Sequence, residues 1–155
     1  MLGQKHVAVT TTVSVFDAYG APSSGQRSST GATYTNATRK EPFDRLMRII
    51  PILAEAGVTL VTGTDWVDRP VNIDDEHLMP GAKTLHEMDL LRRAGLSTQA
   101  VIDSATRNGA DALGVPKNVG TIAEGKLADL VIIDGDLLDD FSALHRTIAV
   151  FIEHA

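Results

Sequence analysis

Apolar positions along the chain follow two periods, and the change between them marks out the elements. Residues 7–16 (VAVTTTVSVF) are so rich in β-branched side chains that they predict a strand with Val7, Val9, Val13 and Val15 on one face. Gly20 and Pro22 end it. Residues 18–40 are mostly Gly, Ser, Thr and Ala with scarcely a large apolar side chain, which predicts a long surface loop of the lid, binding-loop or disordered kind. Phe43, Leu46, Met47, Ile50, Leu53 and Ala54 then recur at helical spacing, with Asp44, Arg45, Arg48 and Glu55 opposite them. Pro42 suits the first turn of that helix, and Pro51 inside it should kink it or split it in two. Gly57 stops it. Residues 58–62 (VTLVT) predict a second strand that delivers Gly63-Thr64-Asp65 at its C-terminal end.

After an acidic, irregular stretch over 66–81, Thr84-Leu85-His86-Glu87 has the form of a capping box. It would open a helix that closes at Gly95, with Leu85, Met88, Leu91 and Ala94 as the buried stripe. Ser97 is the next N-cap, with Leu96 and Val101 spaced as a hydrophobic staple across it. That helical region runs to Leu113 with an interruption expected at Asn108-Gly109, and Gly114 and Pro116 end it. The period then changes to that of strands: residues 128–133 (ADLVII), a turn at Asp134-Gly135, and a last strand around 148–152. The order predicts an α/β chain, two βα units followed by a separate β piece.

Composition narrows the function classes. At 155 residues and 43% hydrophobic the chain suffices for about one domain, while a complete eight-stranded α/β barrel needs at least ~200–250 residues. The absence of Cys removes disulfides, thiol nucleophiles and thiolate metal sites, so a metal would need His, Asp or Glu. No apolar run reaches the roughly 18–20 residues of a spanning helix, and the first residues lack a signal-peptide pattern. A soluble protein without a membrane partner is expected, in a cytoplasmic setting by preference, although lacking Cys fits either side of a membrane. The net charge of −6 argues against a nucleic-acid partner. The imbalance lies after residue 40, so most of the surface would repel phosphate.

Four pieces in order bring a family into view: Gly57-Val58-Thr59-Leu60-Val61-Thr62-Gly63-Thr64-Asp65, then Pro80-Gly81 with Leu85-His86-Glu87, then Ala94-Gly95-Leu96-Ser97 with Ala105-Thr106-Arg107-Asn108, then residues 120–134 (GTIAEGKLADLVIID). Together they resemble the C-terminal third of the amidohydrolase superfamily, nearest its imidazolonepropionase-like and Xaa-Pro-dipeptidase-like metal-dependent hydrolases. The resemblance implies C-terminal βα units of a (β/α)8 barrel, strands seven and eight, over residues 1–114. Residues 115–155 would be a partial segment of a composite β-sandwich.

It also implies hydrolysis of a C–N bond in a cyclic amide or dipeptide, with a divalent metal, zinc by preference, in the complete enzyme. Asp65 would be the metal ligand and catalytic proton shuttle of the eighth strand. Trp66 would stack on an aromatic or proline-like group of a small-molecule substrate, or fill a packing gap. His86 would face substrate in a complete barrel, or hold an exposed structural position. A capping role suffices for Glu87, and helix-end, turn and strand-entry roles suffice for Asn108, Lys126 and Asp129.

The family's His-x-His pair is missing: of His6, His77, His86, His145 and His154, no two are two apart. The acidic stretch Asp65, Asp68, Asp74, Asp75, Glu76 and His77 fits no calcium loop and reads as a solvated face. The isolated chain is therefore expected to bind no metal and to be a truncated, inactive fragment. The alternatives are a non-catalytic piece that needs a complementary chain or a second copy, and a small interaction module using the loop at 18–40.

Overall fold

In the computed structural model, residues 7–17, 26–27, 33–34, 36–65 and 80–153 are described. Strand β1 (Ala8–Thr11) runs into a 3₁₀ turn at Val13–Val15. Short strands β2 (Gln26–Arg27) and β3 (Thr33–Tyr34) pair antiparallel with each other. Helix α1 (Asn36–Glu55) follows, then strand β4 (Thr59–Thr62), which lies parallel to β1 in the register Ala8↔Thr59 through Thr11↔Thr62. The unit β1-α1-β4 is thus a parallel crossover, the arrangement that parallel neighbours require. Helices α2 (Pro80–Arg93), α3 (Thr98–Ala105) and α4 (Arg107–Ala112) come next. Strands β5 (Leu130–Ile133) and β6 (Thr147–Phe151) form a separate antiparallel pair.

The first strand is shorter than its β-branched run predicts. It stops at Thr11, because the N–H groups of Val13 and Ser14 donate to the side chain of Glu87 rather than to a neighbouring strand. Val13 still reaches the core, fully buried, by way of the turn. The expected loop over 18–40 also gives way at both β2 and β3 and at its end, where α1 begins at Asn36. Pro42 and Pro51 both lie inside one continuous helix, so neither opens nor splits it. The i,i+4 pairs Lys40–Asp44 and Glu41–Arg45 support the early turns that Pro42 weakens.

Gly57 ends α1 at φ 74° as expected, and the Val58 N–H reaches back to the Leu53 carbonyl at 3.0 Å. This six-to-one bond needs a left-handed residue at Gly57, which glycine adopts without a Cβ clash. Gly95 closes α2 by the same device, with the Leu96 N–H on the Leu91 carbonyl. The Ser97 side chain caps α3 by accepting from the Ala100 N–H, as the sequence predicts. The break in the helical region falls at Thr106, two residues before the Asn108-Gly109 position expected for it.

One core forms where α1, α2 and α3 cover the two parallel strands, built on Ile50, Leu60, Leu90, Leu91, Leu96 and Val101. A 3₁₀ turn at Phe141–His145, absent from the sequence reading, joins the C-terminal segment to this core: Ala143 is buried, and Phe141 and Leu144 pack against the cluster. His145 adds a 2.9 Å contact to Asp89 on α2. Much of the β5-β6 pair is exposed. Val131, Ile148 and Val150 are 62%, 65% and 58% exposed, an unusual state for apolar strand residues.

Candidate active site

Parallel pairing places the C-terminal ends of β1 and β4 side by side, Thr11 opposite Thr62. Asp65 lies three residues past Thr62, exposed, with φ 45°. A left-handed backbone is uncommon for a residue with a Cβ, and Asp tolerates it better than most. Two residues earlier the strands come very close: a Cβ on Gly63 would sit 2.3 Å from Thr10 Cγ2 and 3.3 Å from the Thr11 carbonyl oxygen. Glycine is required there by that approach.

The approach to Asp65 is tied down from the other side. Ser104 donates to the Val101 carbonyl at 2.7 Å, so its single hydroxyl proton is engaged. The 2.7 Å contact between Thr62 Oγ1 and Ser104 Oγ is therefore a bond donated by Thr62. Asn108 Nδ2 donates to the Leu60 carbonyl at 2.8 Å, more than the helix-end role expected of it.

Helix α2 makes the remaining contacts. Glu87 is 0% exposed, and its two carboxylate oxygens accept one N–H each, from Val13 at 3.0 Å and from Ser14 at 2.7 Å. This corrects the capping-box reading of Thr84 to Glu87: α2 starts at Pro80, so Glu87 stands in mid-helix and caps the turn after β1 instead. His86 is half-buried, with Nε2 2.7 Å from Asp17 Oδ2. A carboxylate accepts only, so Nε2 carries the proton in that contact. Residues 86 and 87 thus both grip the segment 13–17. No pattern in the sequence signalled the partner of either, since each lies about 70 positions away. Ser14 Oγ is buried with no hydrogen-bond partner among the described residues.

Trp66, the acidic residues Asp68, Asp74, Asp75 and Glu76, and His77 lie outside the described residues, as do His6 and His154. Among the described residues no group of three or more His, Asp or Glu is placed to hold a metal ion. Asp65 is a single donor there, so these residues by themselves do not fit a divalent metal. Asp140 lies apart from these strand ends, at the N-cap of the 3₁₀ turn at Phe141–His145. Hydrogen bonds from the Ser142 hydroxyl, Arg146 and the Ser142 N–H hold its carboxyl below the usual value.

With this geometry in place, comparison with known proteins fixes the class. The sequence model of the Amidohydrolase family matches residues 44–153, well over half of the chain. The chain belongs to the amidohydrolase family, whose members generally use a divalent metal. A 5-methylthioadenosine/S-adenosylhomocysteine deaminase of Syntrophobacter fumaroxidans is 34% identical over 85 residues, 55% of this chain and 19% of that protein. The crystal structure of an amidohydrolase matches 97% of this chain and 34% of its own at TM-score 0.73 and 23% identity. A Xaa-Pro dipeptidase crystallised with methionine in its active site matches 76% of this chain and 27% of its own, at TM-score 0.62 and 23% identity. These two likenesses bear on the fold alone, which is mixed α/β. The chain spans about a fifth of the length of the curated relatives it matches.

Proposed function

We propose that this chain is the Asp65-bearing C-terminal part of a metal-dependent amidohydrolase that hydrolyses a C–N bond in a small molecule. The observation that carries the reading is Asp65 itself: a carboxylate just past the end of a parallel strand, inside the family match, on a backbone made for close approach. In this reading β1 and β4 are strands seven and eight of a barrel, residues 1–114 belong to it, and residues 115–155 to a β-sandwich segment.

Asp65 takes the proton of the attacking water and hands it to the leaving nitrogen. It is also one ligand of a divalent metal, by preference zinc, which would polarise the scissile group and acidify the water. In this reading the other ligands come from further chain, and the isolated chain is inactive. Trp66 and His86 face the substrate.

Two substrate classes are supported. The resemblance of the motifs at 57–65 and 120–134 to Xaa-Pro-dipeptidase-like hydrolases favours a dipeptide or cyclic amide. The greater sequence identity to a deaminase favours the amino group of an adenosine-like base. Release of proline from an Xaa-Pro dipeptide and of ammonia from an adenosine analogue, measured on the longest gene product containing this segment, separates them. Full activity in an Asp65→Asn variant would refute the role of Asp65.

A second reading, a non-catalytic piece that needs a complementary chain or another copy, is favoured by the exposed apolar residues of β5 and β6. Light scattering would count against it by showing a stable monomer. No helix among the described residues is long and apolar enough to cross a membrane.

A further inference from the structure

The geometry points to Glu87 as a positioning residue: its buried carboxylate fixes the turn after β1, and with it the Asp17–His86 pair, at the strand end that also carries Asp65. The inference rests on reading Asp65 as the working carboxylate. A fully buried acid is costly unless its oxygens are satisfied, and Glu87 satisfies one with the Val13 N–H and the other with the Ser14 N–H. Those N–H groups are the ones a strand would have used to continue past Thr11. Glu87 thereby ends β1 and turns the chain, and four residues after Val13 the turn presents Asp17 to His86.

The two bonded partners on α2 are consecutive, so one turn of helix sets both the backbone and the side chain of the segment 13–17. Register does the rest. Ser14 stands three residues past Thr11, as Asp65 stands three past Thr62, and Thr11 and Thr62 are paired. The clamped turn and Asp65 therefore both follow the same end of the parallel pair. Glu87 touches neither Asp65 nor a substrate on this geometry, so it acts through the turn.

Nuclear magnetic resonance on the chain as it stands tests this without requiring activity. In the wild type, the amides of Val13 and Ser14 should exchange with solvent as slowly as those of β4, and His86 should show the nitrogen signature of a single tautomer protonated at Nε2. Exchange of those two amides at the rate of exposed loops would overturn the proposal.

Glu87→Gln sets an NH2 group against an N–H donor. It should speed exchange at Val13 and Ser14 by about tenfold or more, the factor expected for one lost buried hydrogen bond. It should also abolish the single-tautomer signature of His86 and shift the Asp65 carboxyl resonance. Val101→Ala, which opens a cavity in the same core, is the control for plain loss of stability. It should leave the Asp65 and His86 signals in place. Equal effects of the two variants on the turn and on β4, or an Asp65 resonance unmoved by Glu87→Gln, would overturn the proposal. Where the gene product hydrolyses a substrate, Glu87→Gln should lower kcat more than it raises KM, and an unchanged kcat would also overturn it. Activity that survives Asp65→Asn would sink the proposed function, while the resonance data decide the role of Glu87 separately.

Discussion

Asn108, on α4, donates its side-chain N–H to the backbone carbonyl of Leu60, in the middle of β4. The bond fastens a helix that follows the strand by almost fifty residues to the backbone that carries Asp65. Asn108→Ala removes the donor and leaves a part-buried carbonyl unpaired, at a cost of about 1–3 kcal/mol. Asn108→Asp should cost more, because at neutral pH it replaces the donor with a charged acceptor facing the same carbonyl. Thermal unfolding of the two variants gives the order, and equal midpoints would show that the bond contributes nothing specific.

Gly63 faces a steric limit rather than a polar one. An alanine Cβ there meets Thr10 Cγ2 and the Thr11 carbonyl, and overpacking of this kind costs on the order of 1–3 kcal/mol. The methyl of Thr10 can be removed and the carbonyl cannot. Thr10→Ser combined with Gly63→Ala should therefore recover part of the loss, and denaturant unfolding of the four proteins in the cycle measures how much. Simple additivity would mean that the threonine is not the obstacle.

These sites also show where the sequence was readable. The ends of α1 and α2 at Gly57 and Gly95 and the cap at Ser97 were legible, because each is fixed by residues within six positions of one another. The two parallel strands were legible from β-branched content, and so was the delivery of Asp65 at the end of the second. The start of α1 was not. Pro42 is a good first-turn residue, and its sequence preference pointed to a start there. The i,i+4 pairs of Lys40 and Glu41 instead support a helix already under way at that point.

Glu87 was misread for a related reason. Thr84 and Glu87 satisfy a local capping pattern, but the helix begins one turn earlier, and the carboxylate is claimed by two N–H groups more than seventy positions away. The docking of the turn at Phe141–His145 against the core was illegible in the same way, since its partners are equally remote.

Asp140 offers a pH test away from the strand ends. It caps the 3₁₀ turn by accepting from the Ser142 N–H at 3.0 Å and the Ser142 hydroxyl at 2.6 Å, and its other oxygen meets Arg146 at 3.0 Å. These bonds favour the charged form, with the Ser142 hydroxyl contributing most, so the carboxyl titrates below its usual value. A group depressed in the folded state contributes stability that is present above its unfolded pKa and is lost as pH falls through the folded one. The cap should therefore persist from neutral pH down to about pH 4, the ordinary carboxylate range, and fail below it. Carbon-detected titration of Asp140 should show the depressed midpoint, and Ser142→Ala should raise it. A midpoint in Ser142→Ala equal to that of the wild type would mean that the hydroxyl is not the main cause.

Asp65 permits a separation of chemistry from folding. Its φ of 45° lies in the left-handed region, which costs most L-residues roughly 1–2 kcal/mol, while Gly enters freely and Asn and Asp enter more easily than others. The side chain is exposed and packs little. Backbone preference therefore dominates: Asp65→Gly should stabilise the chain, Asp65→Asn should leave it nearly unchanged, and Asp65→Val should destabilise it by about 1 kcal/mol or more. That order differs from the order expected for catalysis, in which all three variants lose the carboxylate alike. Chemical denaturation of the three chains, set beside C–N hydrolysis by the corresponding gene products, reads the two orders independently. A valine variant as stable as the asparagine one would show that the left-handed conformation is not held in solution. Equal loss of hydrolysis in the glycine and asparagine variants, without loss of stability, would assign the carboxylate to chemistry rather than to the fold.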